Sequence, residues 1–361
     1  MGTMRKWVGR RVKQARNTVS AMGKQAEVRW RSGCAAPTAS ALEWLRRNEL
    51  PSGGIRAFSG SSKAYPEVTG YLIPTLMKAG ECDLALRLSE WLVRIQREEG
   101  AFLGLDGRAY VFDTGQALRG LLAGLVLKPA LRDSMRKAVE YLTSQLLDDG
   151  NGGFIRQYAH MPVHESILLY ALVPMVEACE VLGMEQSAGA AARAVDHYAK
   201  SATVLDTGAL THFLAYEIEA LIDLGREDQA APTLEQLKEA QDSAGAVTAT
   251  VRDRWVCVPG LAQLALCWHK VGDRRPAENA MEWLQAHQLR NGGFLGSVGR
   301  GATYYPASEL SWAAKFFLDA SYQSERAALG SAPGSHEERP FPAEGASHHY
   351  GCARLTPRLI P

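Results

Sequence analysis

Acidic side chains recur at nearly equal spacing along this chain of 361 residues. One residue stands at the head of each of six apolar runs, 46 to 52 residues after the previous one: Glu67, Asp113, Glu165, His212, Pro259 and Glu309. Breaking a glycosidic bond needs one carboxylic acid as proton donor and a second carboxylate as base or nucleophile. The four carboxylates and His212 are therefore the catalytic candidates.

Aromatic, amide and imidazole side chains surround these positions. The binding candidates are Tyr65, Tyr71, Gln116, His164, Tyr216, Trp255, Tyr305 and Trp312. Sugar rings pack their C–H faces on Trp and Tyr, and sugar hydroxyls need charged or amide partners. His212 and Tyr216 lie one helical turn apart and suit a proton shuttle, should the bond be broken by elimination beside a uronate. The pattern predicts a glycan ligand.

Each acid also has a structural interpretation. Asp113 and Glu165 stand where helices begin, and acids there cap backbone N–H groups or offset the helix dipole. Glu67 is the stronger functional candidate, because Thr69 is available for capping. His212 follows Thr211, the expected cap, and can equally bond a neighbouring helix. For single residues, capping and catalysis both stay open.

A repeat of about 48 residues must position these side chains. The clearest copies of its first half run from Trp91-Leu92 to Phe102, from Tyr141-Leu142 to Phe154 and from Trp283-Leu284 to Phe294, each with a Gln before a Gly turn. Such a period indicates a supersecondary unit that buries its apolar face only by stacking on its neighbours. The first helix of each unit is amphipathic and the second nearly apolar all round, as in outer and inner layers.

Six such helical hairpins predict an all-α fold, an (α/α)6 toroid in one domain over residues 34–322. If all inner helices run the same way, their N-terminal ends meet at one mouth and bring the candidate residues together. Residues 1–33 form a basic segment, with nine Lys/Arg against one acid in its first 31 residues. It either lies on an anionic membrane or a protein partner, or caps the first repeat. The composition of residues 323–361 predicts a disordered tail.

Composition limits the function classes. A net charge of +1 predicts no general attraction to nucleic acid. The six cysteines show no CxxC spacing, which predicts reduced thiols and a cytoplasmic protein. Cys267 and His269 are two residues apart and face different directions on a helix, whereas a zinc site needs at least three converging ligands. We expect neither a metal nor another cofactor.

The Trp/Tyr-Leu, Gln and Gly-Gly-Phe units resemble the repeats of the terpenoid cyclase and protein prenyltransferase superfamily, which implies an α/α toroid. The segments from Tyr65 to Leu76 and from Leu210 to Tyr216 resemble a toroid family encoded among bacterial exopolysaccharide and capsule genes. That resemblance implies a protein of polysaccharide biosynthesis, which binds a glycan or processes it as a hydrolase, lyase or epimerase.

Two other functions stay open. One is chemistry on an isoprenoid or polyprenyl-linked substrate, although the Asp-x-Asp-Asp cluster of triterpene cyclases is missing and Asp253 with Cys257 matches the prenyltransferase zinc ligands only loosely. The other is a non-catalytic scaffold for glycosyltransferases.

Overall fold

The computed structural model describes residues 36–147, 152–154 and 163–330, with side chains as far as residue 325. Twelve α-helices form within these residues. In chain order they are α1 Pro37–Arg46, α2 Pro66–Lys78, α3 Cys82–Ile95, α4 Val111–Gly124, α5 Arg132–Ser144, α6 Leu169–Leu182, α7 Glu185–Ala199, α8 Thr211–Asp223, α9 Glu227–Glu239, α10 Val258–Lys270, α11 Arg274–Ala286 and α12 Ser311–Gly330. Short 3-10 turns cover Pro129–Leu131 and Glu165–Leu168. Strands β1 Trp255–Cys257 and β2 Ser297–Gly299 pair antiparallel.

The even-numbered helices form the inner layer of a closed ring. Each packs against the next even-numbered helix, and α12 returns to α2. In α10 every residue from Val258 to His269 is buried, because other helices cover it on all sides. Outer helices bury one face only, as in α3, where Trp91 and Leu92 are buried and Arg94 is exposed. The predicted (α/α)6 toroid is confirmed.

The glutamine ties one hairpin to the next in three copies of the repeat, at Gln96, Gln241 and Gln288. The Gln96 amide donates to the carbonyl of Gly100 in its own turn (3.1 Å) and to that of Ser134 on the following outer helix (2.9 Å). Gln288 does the same in the last repeat, donating to Gly292 (2.9 Å) and to Pro37 of α1 (3.0 Å). The last contact joins the end of the repeat array to its beginning.

The two ends of the chain lie largely outside the described residues, and the predicted end of the toroid needs a correction. The basic segment 1–33 lies outside the described residues, as does the tail beyond residue 330. Helix α12 continues to Gly330, so the toroid's last helix extends into the segment expected to be a tail. None of the described helices combines the length and apolar character that a bilayer span requires.

The cysteines only partly follow expectation. Cys179, Cys257 and Cys267 are free and buried, as predicted. Cys82, at the start of α3, is disulfide-bonded, so the expectation of six reduced thiols is wrong for this residue. Cysteine usage therefore no longer indicates a cytoplasmic location, because disulfides persist in oxidising compartments.

Candidate functional site

The N-terminal ends of the inner helices meet at one face of the ring, which we call the mouth. Glu67 lies in the first turn of α2 and Asp113 in the first turn of α4. Tyr65, which precedes α2, reaches α4 by donating its hydroxyl to the two carboxylate oxygens of Asp113, at 3.2 and 3.1 Å. Three residues of the predicted site therefore converge.

Asp113 is a buried acid beside a second acid. Only 3% of its surface is exposed. Burial, and then the negative charge of Glu67, raise the pKa of Asp113 well above its usual range, while the hydrogen bond from Tyr65 opposes them. Glu67 is more exposed than Asp113. The pair thus combines a carboxyl that tends to hold its proton with a more solvated carboxylate, which is the asymmetry that acid and base roles require.

Aromatic rings line the ring interior beside this pair. We call five of them the aromatic nest: Tyr71, His212, Tyr216, Tyr304 and Phe316. The His212 ring centroid lies 4.5 Å from that of Tyr216, 5.9 Å from that of Tyr304 and 5.8 Å from that of Phe316. The Tyr71 and Phe316 centroids are 6.1 Å apart. The negative charge of Glu67 raises the pKa values of Tyr71, Tyr216 and Tyr304, after burial as the main cause, so Glu67 and the nest are close together.

His212 is neutral at pH 7. Burial, and then the positive charge of Lys315, lower its pKa to about 3. Burial also raises the pKa of Tyr216 well above its usual value. The sequence placed these two residues as a proton shuttle, and the structure does bring their rings together. Both are neutral hydrogen-bonding groups in the folded protein.

Glu309 lies away from this convergence. Its carboxylate accepts hydrogen bonds from the Trp44 indole of α1 and from the Asn291 amide, the latter at 2.9 Å. Its backbone N–H donates to the Ser59 hydroxyl at 2.9 Å. The residue therefore joins the last repeat to the first, and we leave it out of the catalytic pair.

Glu165 and His164 lie at the start of the third inner helix. His164 Nε2 is 3.1 Å from Asp206 Oδ2, and both side chains are well exposed. The buried acid on this side is Glu217 of α8, which sequence analysis did not select. Its carboxylate accepts hydrogen bonds from the Ser166 hydroxyl (2.5 Å) and the Leu205 amide (2.6 Å). Burial raises the pKa of Glu217 to about 7, against the effect of these hydrogen bonds.

The remaining predicted binding residues have mainly structural contacts. Gln116 is fully buried, and its amide oxygen accepts a hydrogen bond from Arg119 at 3.1 Å. The Trp255 indole donates to Asp253 at 2.9 Å. Tyr305 is half-buried and has a φ of 49°, and its ring centroid is 5.6 Å from that of Trp312. Tyr305 and Trp312 adjoin the nest through Tyr304, whose centroid lies 5.1 Å from that of Tyr305.

A buried ionic network closes the interior below the nest, and the sequence analysis missed it. Lys315 of α12 donates to the Tyr170 hydroxyl of α6 (3.2 Å) and pairs with Asp319 (3.0 Å). Glu219 of α8 accepts from Gln263 (2.7 Å) and Lys270 (3.0 Å) of α10. The network extends to α2 and α4 through three further residues: Thr75, Lys78 and Arg119. Charged residues inside nearly apolar helices were the available clue.

No group of three or more His, Cys, Asp or Glu side chains that could hold a metal ion occurs in the part of the chain that the structure describes. Cys257 and Cys267 are fully buried, and burial raises the pKa of Cys257 to about 12, so this thiol stays protonated.

Comparison with solved structures finds toroids. No protein-family model and no curated protein sequence matches the chain. A novel α-amylase from Clostridium perfringens superposes with a TM-score of 0.62 at 12% identity, over 81% of this chain and 99% of that one. A glycosidase variant in complex with glucose gives 0.60 at 14% identity, over 80% and 96%. An unsaturated glucuronyl hydrolase specific for heparin gives 0.60 at 14% identity, over 81% and 97%. At these identities the likeness establishes a shared α/α toroid fold.

Proposed function

We propose that this protein is a glycan-processing enzyme of the hydrolase type that acts at the mouth of the toroid. The observation that carries the proposal is the carboxyl pair. Asp113 is buried, hydrogen-bonded by Tyr65 and held toward its protonated form by burial and by Glu67. A buried carboxylic acid held toward its protonated form, next to a second and more exposed carboxyl group, is the pairing that glycoside hydrolysis requires.

In the proposed reaction, Asp113 donates its proton to the glycosidic oxygen as the bond between that oxygen and the anomeric carbon breaks. The leaving sugar departs as an alcohol. Glu67 acts on the other side of the anomeric carbon. It either takes a proton from the attacking water, or it bonds to the anomeric carbon and water then cleaves that bond. At the end the elements of water have been added across the bond and Asp113 is reprotonated. Tyr65 orients the Asp113 carboxyl.

Two features support a bacterial polysaccharide or its precursor as the substrate. The segments around Tyr65 and His212, which resemble the exopolysaccharide and capsule family, supply Glu67 of the carboxyl pair and three residues of the nest: Tyr71, His212 and Tyr216. The three solved structures named above are a glycosidase, an α-amylase and a glucuronyl hydrolase, and their shared fold fits this substrate class. Fold alone does not fix a reaction, so the proposal depends on the site.

The filled interior argues for a sugar over a polyprenyl chain. An isoprenoid site in a toroid needs a deep apolar cavity. Here Lys315 reaches Tyr170 across the ring, and the ionic network lies directly below the nest. A long apolar tail would have to displace buried charges, which is costly. The mouth above the nest suits a shallow, polar ligand.

The test is cleavage of a panel of bacterial exopolysaccharides and oligosaccharides, measured by release of new reducing ends. Asp113→Asn should lower kcat by about 10² to 10⁴, the usual contribution of a general acid. Asp228→Asn, an exposed acid on outer helix α9, is the matched control and should retain activity. Equal activity of Asp113→Asn and wild type would refute the assigned acid. Absence of cleavage and binding across the panel would instead favour the scaffold function.

A further inference from the structure

Four buried polar atoms at the aromatic nest have no partner in regular hydrogen-bond geometry. They come from four different inner helices: Tyr71 Oη, His212 Nδ1, Gln263 Oε1 and Trp312 Nε1. The exposed fractions of these residues are 0%, 2%, 0% and 7%. Gln263 approaches His212, and Trp312 approaches Tyr304, closely enough for partial hydrogen bonding to shift the pKa values of His212 and Tyr304, but the four atoms fall short of regular hydrogen-bond geometry. Buried polar groups are nearly always bonded, so this concentration of exceptions requires an explanation.

The four atoms match the chemistry of hydroxyl groups. The Trp312 indole donates and the Gln263 carbonyl oxygen accepts. The Tyr71 hydroxyl and His212 Nδ1 can each take either role, depending on the rotor or tautomer. A sugar hydroxyl donates one hydrogen bond and accepts two, so a few hydroxyls on one ring can satisfy such a set. The aromatic faces of the nest offer packing surface for the C–H groups of the same ring.

The charges at the nest disfavour an anionic ligand. The negative charge of Glu67 raises the pKa values of Tyr71, Tyr216 and Tyr304, so Glu67 brings negative charge to the nest. The Lys315 ammonium lies 3.7 Å from the centroid of the Phe316 ring, but it already pairs with Asp319 at 3.0 Å and bonds Tyr170 at 3.2 Å. Because the pKa of His212 is about 3, its ring carries no positive charge at neutral pH. A carboxylate placed here would meet negative charge without a free cation among these groups.

We infer that the aromatic nest, with Gln263 and Trp312, is a subsite for an uncharged sugar ring and discriminates against a uronate ring. The inference rests on the proposed function, since it identifies the sugar bound beside the Asp113 and Glu67 pair. It also separates this protein from the heparin-specific glucuronyl hydrolase that shares its fold.

Entry to the subsite requires a local movement. The four atoms are closed to solvent, whereas Tyr304 is partly exposed and its ring centroid lies 5.9 Å from that of His212. The next residue, Tyr305, has a φ of 49°, a left-handed conformation that is strained for a bulky side chain. Release of that strain favours displacement of the segment. The sugar ring therefore takes the place of the Tyr304 ring against His212.

The test compares two sets of oligosaccharides of equal length and linkage, one of glucose and one of glucuronate, by calorimetric titration of the inactive Asp113→Asn protein. We expect at least a tenfold preference for the glucose set.

Tyr71→Phe keeps the ring and removes one hydroxyl, and should weaken binding of the glucose set about threefold to tenfold. Tyr322→Phe, further along α12, is the matched control and should bind as the parent does. Glu67→Gln should narrow the preference by admitting the glucuronate set.

The outcomes separate the two proposals. Equal or tighter binding of glucuronate would overturn the uncharged subsite and leave glycan processing intact. Binding of glucose oligosaccharides that is unaffected by Tyr71→Phe would also overturn the subsite, because the ring would then bind elsewhere. If neither set binds, across several linkages, both the subsite and the proposed function fail.

Discussion

Lys315 on α12 donates a hydrogen bond to the hydroxyl of Tyr170 on α6, over 3.2 Å and across the axis of the ring. These helices are three positions apart among the six inner helices, so the contact joins opposite walls. The Lys315 ammonium also lies 3.7 Å from the centroid of the Phe316 ring. These interactions fill the ring interior at the level of Lys315, so they exclude a channel through the ring at that level.

Replacement of Lys315 by Met should strongly destabilise the protein. Only 3% of the Lys315 side chain is exposed, and its removal leaves Asp319 short of its closest cation inside the ring. Loss of one partner of a buried ion pair costs about 3 to 5 kcal/mol in the free energy of unfolding. Urea denaturation measures this loss. Lys200→Met, which removes an exposed partner of Asp196, is the control and should cost below about 1 kcal/mol. Similar losses in both variants would contradict a central role for Lys315.

Asp113→Asn should gain stability at neutral pH while it loses activity. Burial and Glu67 raise the pKa of Asp113 in the folded protein. The favourable contribution of this residue is therefore complete below its unfolded pKa and is lost as the pH rises through its folded pKa. Asparagine does not ionise, so the variant avoids that loss. Melting temperatures at pH 4 and pH 8 test this, with the variant above wild type only at pH 8. A variant that is less stable at pH 8 would show that Asp113 is ionised and structurally favourable there.

The hydrolytic activity of the wild type should show the same titration. As a proton donor, Asp113 works only while protonated, so kcat should fall as the pH rises through its raised pKa. This fall is the alkaline limb of the pH profile of kcat, which can be measured on a cleaved oligosaccharide. Glu67→Gln removes the neighbouring charge that favours the protonated form and should move the limb to lower pH. A limb that stays in place would contradict the coupling between the two acids.

Much of the fold could be predicted from the repeat alone. The outer helices carry one apolar face, and the repeat glutamines Gln96, Gln241 and Gln288 make equivalent hydrogen bonds in the structure. Convergence of Tyr65 and Asp113 at one face followed from the shared direction of the inner helices. These features depend on local pattern and on neighbour stacking, which a periodic sequence records.

The ionic network could not be predicted in the same way. Glu219, Lys270 and Lys315 come from three helices, and their pairing depends on how far each side chain reaches across the ring. The placement of Glu309 depends on ring closure, because its partner Trp44 is 265 positions away. Sequence spacing gives the position of an acid on a helix, but the three-dimensional ring decides whether it faces the mouth or a neighbouring hairpin.

Glu217 should make stability depend on pH in the neutral range. Its folded pKa of about 7 lies above its ordinary value of 4.5. Its contribution is therefore complete below about pH 4.5 and is lost as the pH rises toward 7, by roughly 3 kcal/mol. Glu217→Gln should lack this slope in the free energy of unfolding between pH 4.5 and 7.5. Glu282→Gln, an exposed acid on α11, should keep the wild-type slope. Parallel slopes for wild type and Glu217→Gln would place the titration elsewhere.

The glycine of the repeat turn should tolerate no side chain, because the next outer helix passes directly over it. Gly100 has a φ of 95°, and a Cβ added there would lie 2.0 Å from the carbonyl oxygen of Lys137. Gly107 has a similar φ of 82°, but a Cβ would meet nothing within 4 Å. Gly107→Ala should therefore cost only the left-handed strain of about 1 to 2 kcal/mol. Gly100→Ala adds a backbone collision and should cost about 3 kcal/mol or more. Urea denaturation of the two variants separates the left-handed strain from the backbone collision. Equal losses of unfolding free energy would show that the turn requires glycine for its conformation alone, and not for close stacking of the hairpins.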